Sequence, residues 1–276
     1  MTRIRTLAAG SIGLALIAAT AVPASAIRYG EDDAGEHPNV GLMIAYVEDE
    51  SGALQPSWRC SGTMMDPDTY LTAGHCTFGA DAVAIWFADD LQGDERPDIF
   101  DLDAADATGT PYSHPEYDDA AFYLHDVGVV ELDEPVAFDS YGQLPEQGYW
   151  DDQLATKKKD RDSLDVVGYG LQRSLPDNGT AQLTEAEWIK LQATVDLIRD
   201  DRMFGEQGAG NSVTLTNNAN TGGTCSGDSG GPTFIEDSNV VVGVTSYGVN
   251  STCTGIGGSY RIDQPDDLAW LSQFIG

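Results

Sequence analysis

Three short stretches of the 276-residue chain hold residue types that together can break an acyl bond. Leu71-Thr72-Ala73-Gly74-His75-Cys76 sets a histidine beside a cysteine. His125-Asp126-Val127-Gly128-Val129-Val130-Glu131-Leu132 leads an aspartate into an apolar run. Thr224-Cys225-Ser226-Gly227-Asp228-Ser229-Gly230-Gly231-Pro232 places a serine in a glycine-rich turn. Nucleophilic acyl transfer needs a hydroxyl to attack, an imidazole to take its proton and a buried carboxylate to orient the imidazole. Glycines around the serine let backbone N–H groups approach a developing oxyanion with no Cβ in the way. Each stretch alone has a plainer reading, since an acid before an apolar strand is usually a turn residue. Their joint occurrence, in the order His75, Asp126, Ser229, favours the chemical one.

Side chains 51 and 103 residues apart must be brought together by a rigid frame. Short apolar runs, each closed by Gly, Pro, Asn or Asp, recur at 41–47, 58–65, 82–88, 127–132, 164–169, 188–195, 212–216, 232–235 and 240–247. Their β-branched and aromatic content reads as strands rather than buried helix. One helix is well signalled at the C-terminus: Pro265 suits a first helical position, Asp266 and Asp267 suit the positive end of the dipole, and Leu268, Leu271, Phe274 and Ile275 share a face. A short helical turn is also expected within 196–203. Many strands with few helices give an all-β class of antiparallel barrels or sandwiches, with a boundary near 139–149.

Composition narrows the function classes. The chain has 14 Lys+Arg against 45 Asp+Glu, a net charge of −31, with 41% hydrophobic residues. That apolar content is too high for a disordered acidic protein, and so few cations make nucleic acid an unsuitable partner. The one basic cluster, Lys157-Lys158-Lys159 with Arg161, is flanked by Asp151, Asp152, Asp160 and Asp162 and reads as a solvated loop. Residues 1–26 read as a secretory signal peptide: Arg3 and Arg5 lead an uncharged 7–22 stretch, and Pro23-Ala24-Ser25-Ala26 ends in a cleavage pattern. Its removal leaves 12 basic against 45 acidic residues, a charge of −33. Export places the four cysteines in an oxidising compartment, where two disulfides with three possible pairings are expected. Heavy self-repulsion suggests a saline habitat in which salt screens the charge.

The motifs resemble those of the trypsin/chymotrypsin family of secreted serine endopeptidases, over nearly all of 27–276, and the scarcity of cysteines suits a bacterial member. Thr72–Cys76 is similar to the family's Ala-Ala-His-Cys segment with Gly74 in place of the second Ala. Asp126–Leu132 is similar to Asp-Ile-Ala-Leu-Leu-x-Leu with Gly128 at the small position, and Gly227–Pro232 matches the nucleophile motif outright. The resemblance implies two antiparallel six-stranded Greek-key β-barrels with the active site between them and a C-terminal α-helix. It divides the chain into a signal peptide 1–26, a first barrel 27–140 carrying His75 and Asp126, and a second barrel 141–276 carrying Ser229. It implies Ser229 as nucleophile, His75 as base then acid, Asp126 as partner of the imidazole, and the N–H groups of Gly227 and Ser229 as oxyanion hole. It selects the disulfides Cys60–Cys76 and Cys225–Cys253. His125 is expected on the surface, and His37 and His114 match no catalytic position.

The same resemblance assigns the substrate pocket to Gly223, Thr224, Ser246, Tyr247, Gly248 and Gly258. Gly223 stands where a carboxylate would select Arg or Lys, so a large apolar residue is expected before the scissile bond (P1). Ile27-Arg28-Tyr29-Gly30 stands where family members expose an activating N-terminus. Its ammonium would pair with Asp228, and signal cleavage after Ala26 would generate it directly. No cofactor is implied. Asp89, Asp90, Asp94, Glu95 and Asp98 form a weak candidate for Ca²⁺, without an EF-hand pattern. Partners are protein or peptide substrates, with no nucleic acid, no membrane after signal cleavage, and a monomeric state. The rival reading is a binding module of the same fold that has lost catalysis.

Overall fold

The computed structural model describes residues 27–92, 98–175, 183–185 and 187–276. The signal segment 1–26, and Asp94 and Glu95 of the acid cluster, lie outside the described residues. A two-residue strand β1 (Glu31–Asp32) precedes β2 (Val40–Glu48), β3 (Leu54–Met64), β4 (Thr69–Thr72), a single helical turn α1 (Gly74–Thr77), β5 (Ala82–Trp86), β6 (Ala107–Ser113) and β7 (Gly128–Leu132). Strands β2 to β7 close a barrel in the order β2-β3-β4-β7-β6-β5. After the consecutive β2, β3 and β4 the chain returns through α1 so that β5 pairs with β2, the long connection of a Greek key.

Strand β2 shows why its run is apolar without interruption. Val40, Met43 and Ala45 enter the main core, while Leu42, Ile44 and Tyr46 enter a second cluster with Trp86, Leu91, Ile99 and Tyr169. Side chains alternate across a strand, so covering both faces removes the polar half of the pattern.

The second half contains helix α2 (Tyr149–Ala155), β8 (Leu164–Gly168), a hairpin of β9 (Arg173–Leu175) and β10 (Leu183–Glu185), then β11 (Leu191–Val195), β12 (Leu197–Asp200), a turn α3 (Gly205–Gly208), β13 (Ser212–Asn217), β14 (Pro232–Ile235), β15 (Val241–Gly248), β16 (Gly255–Arg261) and helix α4 (Pro265–Leu271). Its sheet runs β1-β11-β8-β14-β15-β16-β13-β12. Only Asp196 parts β11, which lies next to the edge strand β1, from β12 at the opposite edge of the sheet. The Asp196 N–H donates to Thr216 Oγ1 at 2.9 Å and its carbonyl accepts from Thr216 N–H at 3.0 Å. The sheet thus curls round through the chain itself. The helical turn expected within 196–203 is extended instead, because pairing of β12 with β13 supplies backbone partners that an isolated turn lacks.

Both ends of the chain cross the division at residue 140. Strand β1 pairs with β11 in the second sheet. Helix α4 lays Trp270 and Leu271, followed by Phe274 and Ile275, on the main core cluster, which holds most of the first barrel's apolar residues. The Phe274 carbonyl accepts from Thr69 Oγ1 at 2.9 Å. The basic loop is only partly solvated: Arg161 is half-buried and donates to the carbonyls of Leu154, Thr156 and Leu197.

Candidate active site

The histidine sits on α1, one turn after β4. Glycine is required on either side of this turn. A Cβ at Gly74 would lie 2.9 Å from the Tyr117 ring and 3.1 Å from the His125 carbonyl, and one at Gly128 would lie 2.5 Å from Thr77 Oγ1. The two glycines that depart from the family pattern are thus the price of close approach between α1 and β7. A disulfide joins Cys76 to Cys60 on β3, and Trp58 Nε1 donates to the Cys76 carbonyl at 2.9 Å.

Asp126 immediately precedes β7 and is wholly buried. It accepts from the His75 backbone N–H at 2.9 Å, from His75 Nδ1 at 3.0 Å, and from Ser246 Oγ at 2.5 Å. Nδ1 therefore carries the ring proton, which leaves Nε2 as the basic nitrogen. Burial by itself would lower the imidazole pKa and is the largest single influence. The charge and hydrogen bond of Asp126, with Asp119 farther off, outweigh it, so the His75 pKa lies above that of a free histidine.

The serine turn is pinned from both barrels. Ser61 on β3 donates its N–H to the Ser229 carbonyl at 2.8 Å and its hydroxyl to the Gly227 carbonyl at 3.0 Å. The N–H groups of Asp228, Gly230 and Gly231 are all bonded, to the carbonyls of Cys225, Thr245 and Asp228. Gly227, at φ +98°, turns the backbone where a side chain would be strained. Among the described residues, the N–H groups of Gly227 and Ser229 donate to no protein acceptor, and the Ser229 hydroxyl makes no hydrogen bond. Two free donors flank a half-buried hydroxyl, an arrangement that can hold a developing oxyanion.

Asp228, the residue between those donors, is buried and accepts from Gly170 N–H at 2.7 Å and Cys225 N–H at 2.8 Å. Desolvation pushes its pKa up to about 7 against these bonds and the charge of Arg59. Ile27 is fully buried in the second core cluster with Trp150, Leu164 and Val166. The next residue, Arg28, bonds through its N–H to the Gly223 carbonyl at 2.9 Å, and its guanidinium donates to the Thr252 carbonyl. The segment after Ile27 therefore docks on the wall of the assigned pocket, beside the disulfide Cys225–Cys253.

The pocket glycines make room for neighbouring side chains. A Cβ at Gly223 would lie 2.5 Å from Asn217 Cγ, and one at Gly258 would lie 2.3–2.5 Å from the ring of Tyr247, whereas one at Gly248 would make only an ordinary contact with the Asn250 carbonyl at 3.8 Å. The Thr224 carbonyl accepts from Asn217 Nδ2 at 2.6 Å. Ser246 orients Asp126 rather than lining the pocket alone. Asn217 had no signal in the sequence, because nothing in a Thr-Asn-Asn run marks an amide that folds behind Gly223.

His125 is not a surface residue. Its side chain, 21% exposed, stands between Asp267 (Nδ1 to Oδ1, 3.3 Å) and Glu116 (Nε2 to Oε2, 3.2 Å), with its ring stacked on His114 at 4.4 Å. The hydrogen bond to Asp267 raises its pKa, against burial. His114 is driven the other way, chiefly by burial. Its Nδ1 accepts from Glu116 N–H at 3.2 Å, so the proton resides on Nε2. This cluster is a hydrogen-bonded network in which the ligand atoms of His114, His125 and Asp267 lie within 4.8 Å of one another. In the grouping of Cys60, His75 and Cys76 both sulfurs are joined to each other. Of the acid cluster, Asp89 is paired with buried Lys190 at 2.9 Å.

A family profile described as Trypsin matches residues 36–265. The chain belongs to the trypsin family. This trypsin-family chain is 29% identical over 206 residues to a trypsin of Saccharopolyspora erythraea, covering 73% of this chain and 80% of that one. It is 26% identical over 237 residues to a phenoloxidase-activating enzyme of Bombyx mori, covering 75% of this chain and 51% of that one. Among solved structures, HL collagenase superposes with a TM-score of 0.59 at 19% identity, covering 89% and 96% of the two chains. Human heparin binding protein superposes with a TM-score of 0.60 at 19% identity, covering 90% and 96%. Among the described residues no helix of this trypsin-family chain is long and apolar enough to cross a membrane.

Proposed function

We propose that this trypsin-family chain is a secreted serine endopeptidase with Ser229 as its nucleophile. The observation that carries this reading is the hydrogen-bonded His75–Asp126–Ser246 set beside two unengaged N–H groups at Gly227 and Ser229. The Ser229 oxygen adds to the scissile carbonyl while its proton passes to His75 Nε2. The oxyanion takes the N–H groups of Gly227 and Ser229, and the imidazolium faces Asp126. Collapse breaks the C–N bond, with the Nε2 proton going to the leaving amine, and an acyl-enzyme remains. Water then repeats the sequence to release the acid. Cys60–Cys76 and Cys225–Cys253 brace the two sides of the cleft.

Gly223 and Thr224 bring no charge to the pocket, and Asn217 adds only an amide, which supports a large apolar P1 residue. Signal cleavage after Ala26 would free the ammonium of Ile27 for Asp228, with Arg28 already bonded to Gly223. The substrates are proteins or peptides, met by a monomer outside the cell. The heparin named for one structural neighbour is a polyanion, unsuited to a chain of net charge −31. Calcium at Asp89, Asp90 and Asp98 is secondary to the Lys190 pairing.

The test is cleavage of casein by purified protein starting at Ile27, with Phe, Leu, Ala and Arg anilides to rank P1. Casein cleavage with Phe or Leu preferred is expected. An inert protein would indicate a binding module, and an Arg preference would overturn the pocket reading.

A further inference from the structure

In a chain with 45 acidic residues, Arg59 is an anomaly. It lies on β3 beside Cys60, is half-buried, and its guanidinium, among the described residues, donates no hydrogen bond and forms no ion pair. Its Nη1 is buried without a partner. Its guanidinium lies 4.4 Å from the ring centre of Trp188, and a Cβ on Gly227 would meet Arg59 Nε at 2.7 Å. Arg59 therefore borders the residue whose N–H faces the oxyanion position. It also lines a cavity of about 210 Å³ with Pro56, Trp58, Phe100 and Trp188.

The direction of this cavity follows from the site. The assigned P1 pocket is built from the second barrel, at Gly223, Thr224, Tyr247 and Gly258. Arg59 belongs to the first barrel, one residue from the disulfide that ends beside His75, and its neighbour Trp58 bonds the Cys76 carbonyl. His75 must hand its proton to the leaving amine, so the leaving chain departs along this side.

We infer that Arg59 forms a leaving-side subsite that selects substrates carrying a carboxylate just beyond the scissile bond. This rests on the peptidase reading and narrows its substrate class. A desolvated guanidinium with open donors gains most from a bidentate carboxylate, and the aromatic walls shield that pair from water and salt. Two sources offer that group: an Asp or Glu side chain, or the C-terminus of a short leaving peptide.

The experiment measures kcat/KM on C-terminally amidated peptides with one fixed apolar P1 residue and Glu, Gln or Lys at the first or second position after it. A matched Gln peptide with a free C-terminus there forms the second arm. Wild type is expected to favour Glu over Gln by about 10-fold or more, with Lys poorest. The Glu/Gln ratio should fall toward one in Arg59→Gln and be partly kept in Arg59→Lys. A gain for the free-carboxyl peptide without one for Glu would assign the subsite to chain ends. Equal kcat/KM for all peptides on wild type overturns the inference while leaving the peptidase standing. A Glu/Gln ratio unchanged in Arg59→Gln, with every rate lowered alike, also overturns it and makes Arg59 a counter-charge for Asp228. No cleavage of any peptide removes both readings. The wild-type Glu/Gln ratio needs no variant to fold.

Discussion

Two buried carboxylates flank the candidate nucleophile, and they are supplied very differently. Asp126 receives an N–H, a ring nitrogen and a hydroxyl, from both barrels. Asp228 receives two backbone N–H groups and no contacting cation, and desolvation holds its pKa at about 7. A carboxylate taken out of water must be matched by bonds or charge. The first is complete in the uncleaved chain; the second waits for a positive group, the role proposed for the ammonium of Ile27.

The largest expected effect breaks the complete side. Asp126→Asn should lower kcat by about 10⁴-fold, because the amide turns the imidazole to the wrong tautomer. Unaltered kcat on a good peptide would remove Asp126 from the mechanism. Next comes the incomplete side. Asp228→Asn should cost about 3–5 kcal/mol in the form that starts at Ile27, where a buried pair is broken. The same change should leave the form retaining residues before Ile27 no less stable. Urea denaturation of both forms makes the comparison; equal losses would deny the pairing.

The pH dependence of the uncleaved form follows from the same contrast. The folded pKa of Asp228 lies above its unfolded value, so the folded state holds more protons between about pH 4 and 7. Stability from this group is therefore lost as pH rises through that window, by a few kcal/mol at most. In the form beginning at Ile27 the trend should vanish. Thermal melts of both forms from pH 4 to 8 check it.

A smaller effect comes from His125, whose folded pKa is raised by Asp267. Its contribution is present below the unfolded histidine pKa and lost as pH rises through the folded one. His125→Gln should cost about 1 kcal/mol at pH 5.5 and less at pH 8. Equal costs at both would mean that the ring acts by packing on His114 alone.

Local signals made the three candidate stretches legible. Gly227–Pro232 and the His75 and Asp126 segments are fixed by nearest-neighbour needs, namely a turn at positive φ and close approach at Gly74 and Gly128. The apolar strands were legible for the same reason, and α4 begins at Pro265 as its capping pattern requires. Strands β6 and β16 were not, because Ala-Thr-Gly-Thr-Pro-Tyr-Ser and Gly-Ile-Gly-Gly-Ser-Tyr-Arg owe their extension to pairing with β7 and with β13 and β15. Helix α2 follows directly on the stretch read as a boundary and carried no clear apolar pattern, since its seven residues bury only Trp150. The contacts of His125, Ser246 and Arg59 were not legible, because each is made with a residue more than 100 positions away: Asp267, Asp126 and Gly227.

The most direct measurement is labelling with a serine-directed sulfonyl fluoride, followed by peptide mapping and residual activity on casein. A single adduct on Ser229, formed in step with loss of cleavage and absent after heat unfolding, is the predicted result. Full casein cleavage by a protein whose Ser229 is wholly labelled, or no adduct on a protein that cleaves casein, would contradict it.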